Sequence, residues 1–318
     1  MLTVEHLGKT FKFRGKETHA VSDLSFSLAR GRTLGLLGPN GAGKTTTLRI
    51  LATVSRASEG VVRIAGMDLT SEARKVRQLI GYVPQVGTLQ AESVVGEELV
   101  FQGRLFGMSR ASAEHRGREV LALMGAEEFW GRRAGRLSGG ERRKVDIAMG
   151  MMNQPDIAFL DEPTVGLDPD ARQEMWAMIR NMREKWGTTV VITTHYLDEA
   201  EDLADDILMM EGGRLIAHDS TQRLKERFAV DEVFVHLDAT DVAETAWSHS
   251  GVDGVLSAEY SGTDAGMLLS LRISDGERTL PAVLEVLHRR GQIPMRISVR
   301  RGGLQDAFFS LTGKDLLA

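Results

Sequence analysis

The eight residues Gly38-Pro39-Asn40-Gly41-Ala42-Gly43-Lys44-Thr45 constrain this chain more than any other stretch. They fit the pattern G-x-x-x-x-G-K-[ST], and their surroundings are right for it. Thr33–Leu37 reads as a short apolar strand, and Thr45-Thr46-Thr47-Leu48-Arg49-Ile50-Leu51 as a helix. Glycines let a backbone wrap closely and point its N–H groups inward. The helix behind them turns its positive end towards an anion. Lys44 and the Thr45 hydroxyl then stand where nucleotide phosphates and a Mg²⁺ ion need a cation and an oxygen ligand. The strand–loop–helix order also predicts an α/β fold with a phosphate-binding loop at its centre.

A second apolar strand, Ile157-Ala158-Phe159-Leu160, ends in Asp161-Glu162. Asp161 alone could be a simple cap. With a phosphate-binding loop upstream, Asp161 suits the Mg²⁺ shell and Glu162 suits the polarisation of an attacking water. Together the two elements imply a nucleotide hydrolase without saying which kind.

Composition narrows the class. The 318 residues suggest about two domains and contain no cysteine, which excludes disulfides and thiolate metal sites. The net charge is −5, so no basic field invites nucleic acid. No apolar run approaches the ~18 residues of a membrane span, and the polar start does not read as a signal peptide. The expectation is a cytosolic protein that reaches a membrane only through something else. The charge is local: residues 231–318 hold 8 basic and 13 acidic side chains, whereas residues 1–230 balance.

Between the two chemical motifs, Glu97–Phe106, Ala111–Met124 and Glu141–Met152 read as helices with no strand among them, an all-helical insertion at about 87–152. Its last helix is preceded by Leu137-Ser138-Gly139-Gly140-Glu141. Ser138-x-x-Glu141 is a capping box, and a capped start with two glycines is also an anion site of free N–H groups.

Here the sequence resembles the ABC transporter ATPases, whose signature is Leu-Ser-Gly-Gly-Gln. Glu141 stands in place of the Gln, and the role of that position stays open. Other family motifs follow in order: Gly81-Tyr82-Val83-Pro84-Gln85 is similar to the Q-loop, Gly166-Leu167-Asp168 to the D-loop, and His195 to the switch histidine. Phe11 resembles the aromatic that stacks on adenine, although it or nearby Phe13 could equally be core. Within the family, Thr194–Glu201 and Gly303–Phe308 resemble the daunorubicin-resistance type of exporter ATPase.

The resemblance covers residues 1–227. It implies ATP and Mg²⁺ as cofactors, with Gln85 beside Thr45 and Asp161 at the metal. It implies that Glu162 activates water, that His195 contacts the γ-phosphate, and that Ser138, Gly139 and Gly140 complete the site of a second copy in a homodimer. A separate transmembrane permease would hold the protein at the inner face of the membrane. Two alternatives remain: a soluble ABC ATPase acting on ribosomes or DNA, and an importer ATPase.

A helix at Thr221–Arg227 leads into residues 231–318. There Val233–Leu237 (strand), Asp241–Ser248 (helix), Val255–Tyr260 and Met267–Ile273 (strands), Leu280–Arg290 (helix) and Ile293–Val299 (strand) give β-α-β-β-α-β. That order predicts a small ferredoxin-like α+β accessory or dimerisation domain. The apolar stripe Leu304, Ala307, Phe308, Leu311 is one expected cover for its open sheet face, and a second copy of the tail is an equal alternative.

Overall fold

The computed structural model describes residues 1–237, 252–263 and 266–313. The chain divides into two compact units, Met1–Ser220 and Thr221–Ala318.

The first unit opens with the hairpin β1 (Leu2–Phe13) and β2 (Lys16–Leu28), followed by β3 (Thr33–Leu37) and α1 (Lys44–Leu51). Next come β4 (Glu59–Ile64), β5 (Met67–Asp68), α2 (Ala73–Leu79) and β6 (Ile80–Val83). Three helices follow, α3 (Val95–Leu105), α4 (Arg110–Leu123) and α5 (Gly139–Gly150), with no named strand between them, as the apolar spacing predicts. The unit closes with β7 (Ile157–Asp161), α6 (Pro169–Trp186), β8 (Thr189–Thr194), α7 (Leu197–Leu203), β9 (Asp206–Glu211) and β10 (Arg214–Ser220).

Its two sheets have the orders β2-β1-β4-β5 and β10-β9-β3-β8-β7-β6. The second is parallel from β9 through β6, with β10 added antiparallel. Every residue of β3, β7 and β8 is buried, so these strands are covered on both faces, as parallel strands require. One apolar core fills the space between the two sheets, around Leu24, Leu48 and Phe159. The other packs the helical segment and α6 onto the opposite face, around Leu99, Leu160 and Met175. This order places β3, β8, β7 and β6 side by side. Their C-terminal ends carry, in turn, the glycine-rich loop, His195, Asp161-Glu162 and the segment reaching Gln85. Ligands of open α/β sheets bind at that edge.

The second unit contains α8 (Thr221–Phe228), β11 (Asp231–Leu237), β12 (Val255–Thr263), β13 (Gly266–Ile273), α9 (Gly276–Arg289), β14 (Arg296–Arg300) and α10 (Leu304–Thr312). The sheet is antiparallel with order β12-β13-β11-β14, the ferredoxin-like arrangement. The helix expected at Asp241–Ser248 lies outside the described residues. Helix α9 starts at Gly276, ahead of the expected Leu280, because the Asp275 side chain caps it by accepting from the Arg278 N–H.

The final stripe behaves differently from the expectation. Val233, Val235, Leu269 and Leu271 of the sheet pack with Val283 and Leu287 of α9. The stripe of α10, with Leu304, Ala307 and Phe308 buried, has α8 as its main partner, and Leu224 of α8 is buried in turn. The dividing line therefore falls before Thr221, ahead of the limit read from the sequence.

A fragment covering residues 221–318 is accordingly expected to melt roughly 10 °C above one beginning at Asp231. The shorter fragment loses the burial of Leu224, worth about 1.5–3 kcal/mol. Thermal melts by circular dichroism check this, and equal melting temperatures would detach α8 from the unit.

Candidate active site

The loop Gly38–Gly43 joins a buried strand to a helix without slack. Gly41 and Gly43 have φ of 81° and 100°, in the left-handed region that side chains resist. A Cβ on Gly43 would stand 2.4 Å from the Ala20 carbonyl oxygen, and one on Gly38 2.2 Å from that of Met210. The loop curls around its own lysine. Lys44 Nζ donates to the carbonyls of Gly38 (2.6 Å) and Pro39 (3.1 Å) and lies 3.7 Å from Glu162 Oε1. The side chain is 5% exposed. Burial pushes the Lys44 ammonium below the ordinary lysine range, while the Glu162 and Asp161 carboxylates push it back up. The first turn of α1, with Thr45 and Thr46, carries no acidic residue, so its N-terminal field stays positive.

Asp161 ends β7 fully buried. Its Oδ1 accepts from the hydroxyls of Thr45 (2.9 Å) and Thr193 (2.7 Å). Its Oδ2 is buried with no protein partner. A buried carboxylate oxygen is costly when unpaired, and beside a threonine hydroxyl it fits a hard, oxygen-seeking cation such as Mg²⁺. Adjacent residues of a strand point to opposite faces. The chain overcomes this at Glu162, which has φ 46°, a left-handed conformation costing about 1–2 kcal/mol. Its N–H donates to Thr193 Oγ1 (2.9 Å), which holds the turn. Both carboxylates thus reach the loop.

The second oxygen of Glu162 accepts from His195 Nδ1 at 2.8 Å. The His195 ring packs on Tyr196, which Arg172 covers in turn. A cavity of about 280 Å³ is lined by Ala20, the stretch from Asn40 to Thr46, Gln85 and Glu162. Thus Lys44, Thr45, Gln85, Asp161, Glu162 and His195 come together.

Other residues singled out in the sequence lie elsewhere. Phe11 and Phe13 on β1 are both exposed, so neither is core. Phe11 carries Lys9 over its ring and is absent from the cavity wall. Ser138 caps α5: its Oγ accepts from the Glu141 N–H (3.3 Å), and Glu141 Oε2 accepts from the Ser138 N–H (2.7 Å). That bond holds the Glu141 carboxyl below the usual range, and Arg132 stands 3.4 Å from it. Gly139 lines a different cavity, with Gln85, Gly87, Arg142, Asp146 and Gly166, and a Cβ there would meet nothing within 4 Å. Asp168 caps α6, accepting from the Ala171 N–H.

Sequence reasoning missed three contributors. Thr193 is the hinge between Asp161 and Glu162, and only its place at the end of an apolar strand hinted at it. Arg143 is buried against backbone carbonyls. Glu199 is fully buried on α7, where its Oε1 accepts from Thr164 Oγ1 (2.7 Å) and Trp176 Nε1 (3.2 Å).

The ABC transporter family model matches residues 21–165. The daunorubicin/doxorubicin resistance ATP-binding protein DrrA of Streptomyces peucetius is 39% identical over 298 residues, 93% of this chain and 88% of that protein. The chain belongs to the ABC transporter ATP-binding proteins. The Nod factor export ATP-binding protein I of Burkholderia lata is 37% identical over 93% of both chains. Among solved structures, the dimeric post-hydrolysis state of the ATP-binding cassette MJ0796 bound to ADP and Pi matches with a TM-score of 0.64 and 26% identity. It covers 69% of this chain and 98% of that one. This ABC ATPase is therefore an ATP-binding and hydrolysing domain related to exporter-type proteins, on the cassette fold with its helical segment.

Glu199 supplies a test of the packing behind the site. Burial pushes its carboxyl up from the ordinary 4.5. From that value up to the raised one, the folded state holds the proton more readily than the unfolded chain, so stability falls as pH rises. Glu199→Gln keeps an acceptor for Thr164 and Trp176 and removes this slope. It is expected to melt above the parent at pH 8, with a smaller gap at pH 5. An equal or lower melting temperature at pH 8 would contradict this assignment.

Proposed function

We propose that this ABC ATPase powers an exporter of drugs, antibiotics or other hydrophobic compounds, working as a homodimer with a separate membrane-spanning permease. The observation that carries the reading is the division of the site. Lys44, Thr45, Gln85, Asp161, Glu162 and His195 converge, whereas the wall of their cavity includes neither Ser138 nor Gly139 nor Gly140. A second copy, head to tail, would bring its Ser138-Gly139-Gly140 N–H groups and hydroxyl to the ATP held by the first.

In that arrangement Lys44 leaves the carbonyls of its own loop for the β- and γ-phosphates, and the N–H groups of Gly41 to Thr46 cradle them. Thr45, Gln85 and Asp161 would hold Mg²⁺, which supplies charge neutralisation at the phosphates when bound. Glu162 accepts a proton from the attacking water. His195 turns from Glu162 to the γ-phosphate and steadies the developing charge. Phe11, exposed on β1, offers a face for the adenine ring.

The exporter part rests on the relatives named for daunorubicin/doxorubicin resistance and Nod factor export. No helix among the described residues is long and apolar enough to cross a membrane, which agrees with a separate permease. A groove of about 490 Å³ on the helical segment, lined by Val100, Phe101 and Trp130 together with Glu97, Arg104, Arg110 and Glu114, offers that partner a mixed apolar and charged seat. Attachment there would keep the ATPase on the cytoplasmic face. The net charge of −5 supports no role for nucleic acid. The C-terminal unit, without a phosphate-binding motif, is read as an accessory element of dimer contact.

Glu162→Gln keeps size and loses the proton acceptor. It is expected to bind ATP, stall, and run as a dimer at saturating ATP and Mg²⁺ in size exclusion with light scattering. In detergent it should copurify with a permease encoded beside it. A monomer with ATP bound, or unimpaired turnover, would sink the reading.

A further inference from the structure

Arg143 lies on α5, just beyond the Ser138 cap, and is 7% exposed. Its guanidinium makes four bonds to backbone carbonyls and none of them is to its own helix. Nε donates to Pro163 O (2.9 Å), and Nη2 to Asp161 O (2.9 Å) and Glu162 O (3.3 Å). Nη1 donates to Pro84 O (2.7 Å), the residue before Gln85. One planar fork therefore ties three consecutive carbonyls of the carboxylate-bearing turn to the strand end that carries Gln85. A lysine cannot do this, because its single nitrogen has no fixed fork.

Asp146, one turn further along α5, packs against the same segment. Its carboxylate faces the backbone N–H groups of Thr88 and Leu89, and Arg142 Nη2 on the same helix donates to Leu89 O. Gly87 makes room for it: a Cβ there would stand 2.2 Å from Asp146 Oδ2. So α5 holds the stretch from Pro84 to Leu89 at two points and the turn from Asp161 to Pro163 at three. Neither Arg143 nor Asp146 faces the nucleotide cavity.

We infer that Arg143 is a positioning residue that locks the Gln85 segment to the Asp161–Glu162 turn, so that displacement of either one moves the other and sets the hydrolysis rate. The inference rests on the roles given above to Gln85 and Glu162.

The test compares Arg143→Lys and Arg143→Gln with the parent and with Glu162→Gln, using steady-state ATP hydrolysis, titration of Mg²⁺ and nucleotide-binding affinity. Misplacing catalytic groups by about an ångström costs up to roughly 100-fold in rate. Both Arg143 variants are expected to lose about 10- to 100-fold in kcat. They should also need more Mg²⁺ for half-maximal turnover and bind ATP within about threefold of the parent, less than 1 kcal/mol. Lysine should restore no more activity than glutamine. Three outcomes would each overturn the inference: parental kcat in folded variants, loss of nucleotide affinity in step with kcat at unchanged Mg²⁺ demand, or failure of both variants to fold. Unimpaired turnover by Glu162→Gln would instead remove the reading on which the inference rests.

Discussion

The structure turns on one buried carboxylate. Asp161 sits at the end of a parallel strand with no solvent to share its charge, and two threonine hydroxyls satisfy one oxygen only. Thr45 comes from the phosphate-binding loop and Thr193 from the neighbouring strand, so the two bonds draw together segments far apart in sequence. Thr193 also receives the N–H of Glu162 and stabilises its left-handed turn. The remaining oxygen is left for a ligand from outside. Such an unpaired oxygen is an energetic liability that the fold tolerates because the site needs it.

Lys44 meets a related constraint. Its ammonium is buried against the carbonyls of Gly38 and Pro39 and faces Glu162. Those carbonyls are weak substitutes for phosphate oxygens, so the loop is held open around a charge that gains from an anion. His195 is likewise parked on Glu162. The site is thus a set of internal pairs, each exchangeable for a contact with substrate.

How much of this could be read from the sequence depends on where each signal lives. The glycine-rich loop, Asp161-Glu162, the signature cap and the helical segment are local patterns, and each was legible. Even the boundary of α5 follows from Ser138 and Glu141, which form both bonds of the capping box. The order of β3, β8, β7 and β6 was not legible, because strand adjacency is fixed by packing across the whole sheet. Thr193, Arg143 and Glu199 escaped for the same reason, since their partners are 18 to 59 residues away in sequence. In the C-terminal unit the strand order follows from β-α-β-β-α-β. The destination of the α10 stripe does not: an amphipathic helix announces that it will be covered, not by what, and here the cover is α8.

Lys44, Asp161 and Glu162 are proposed to act as one ATP-hydrolysing centre. The most direct test is phosphate release by the parent and by Lys44→Ala, with and without Mg²⁺, once both are shown to be folded. Mg²⁺-dependent turnover is expected in the parent and a fall of roughly 100-fold or more in the variant, the scale of losing a transition-state charge contact. Turnover by folded Lys44→Ala equal to that of the parent would contradict the proposal.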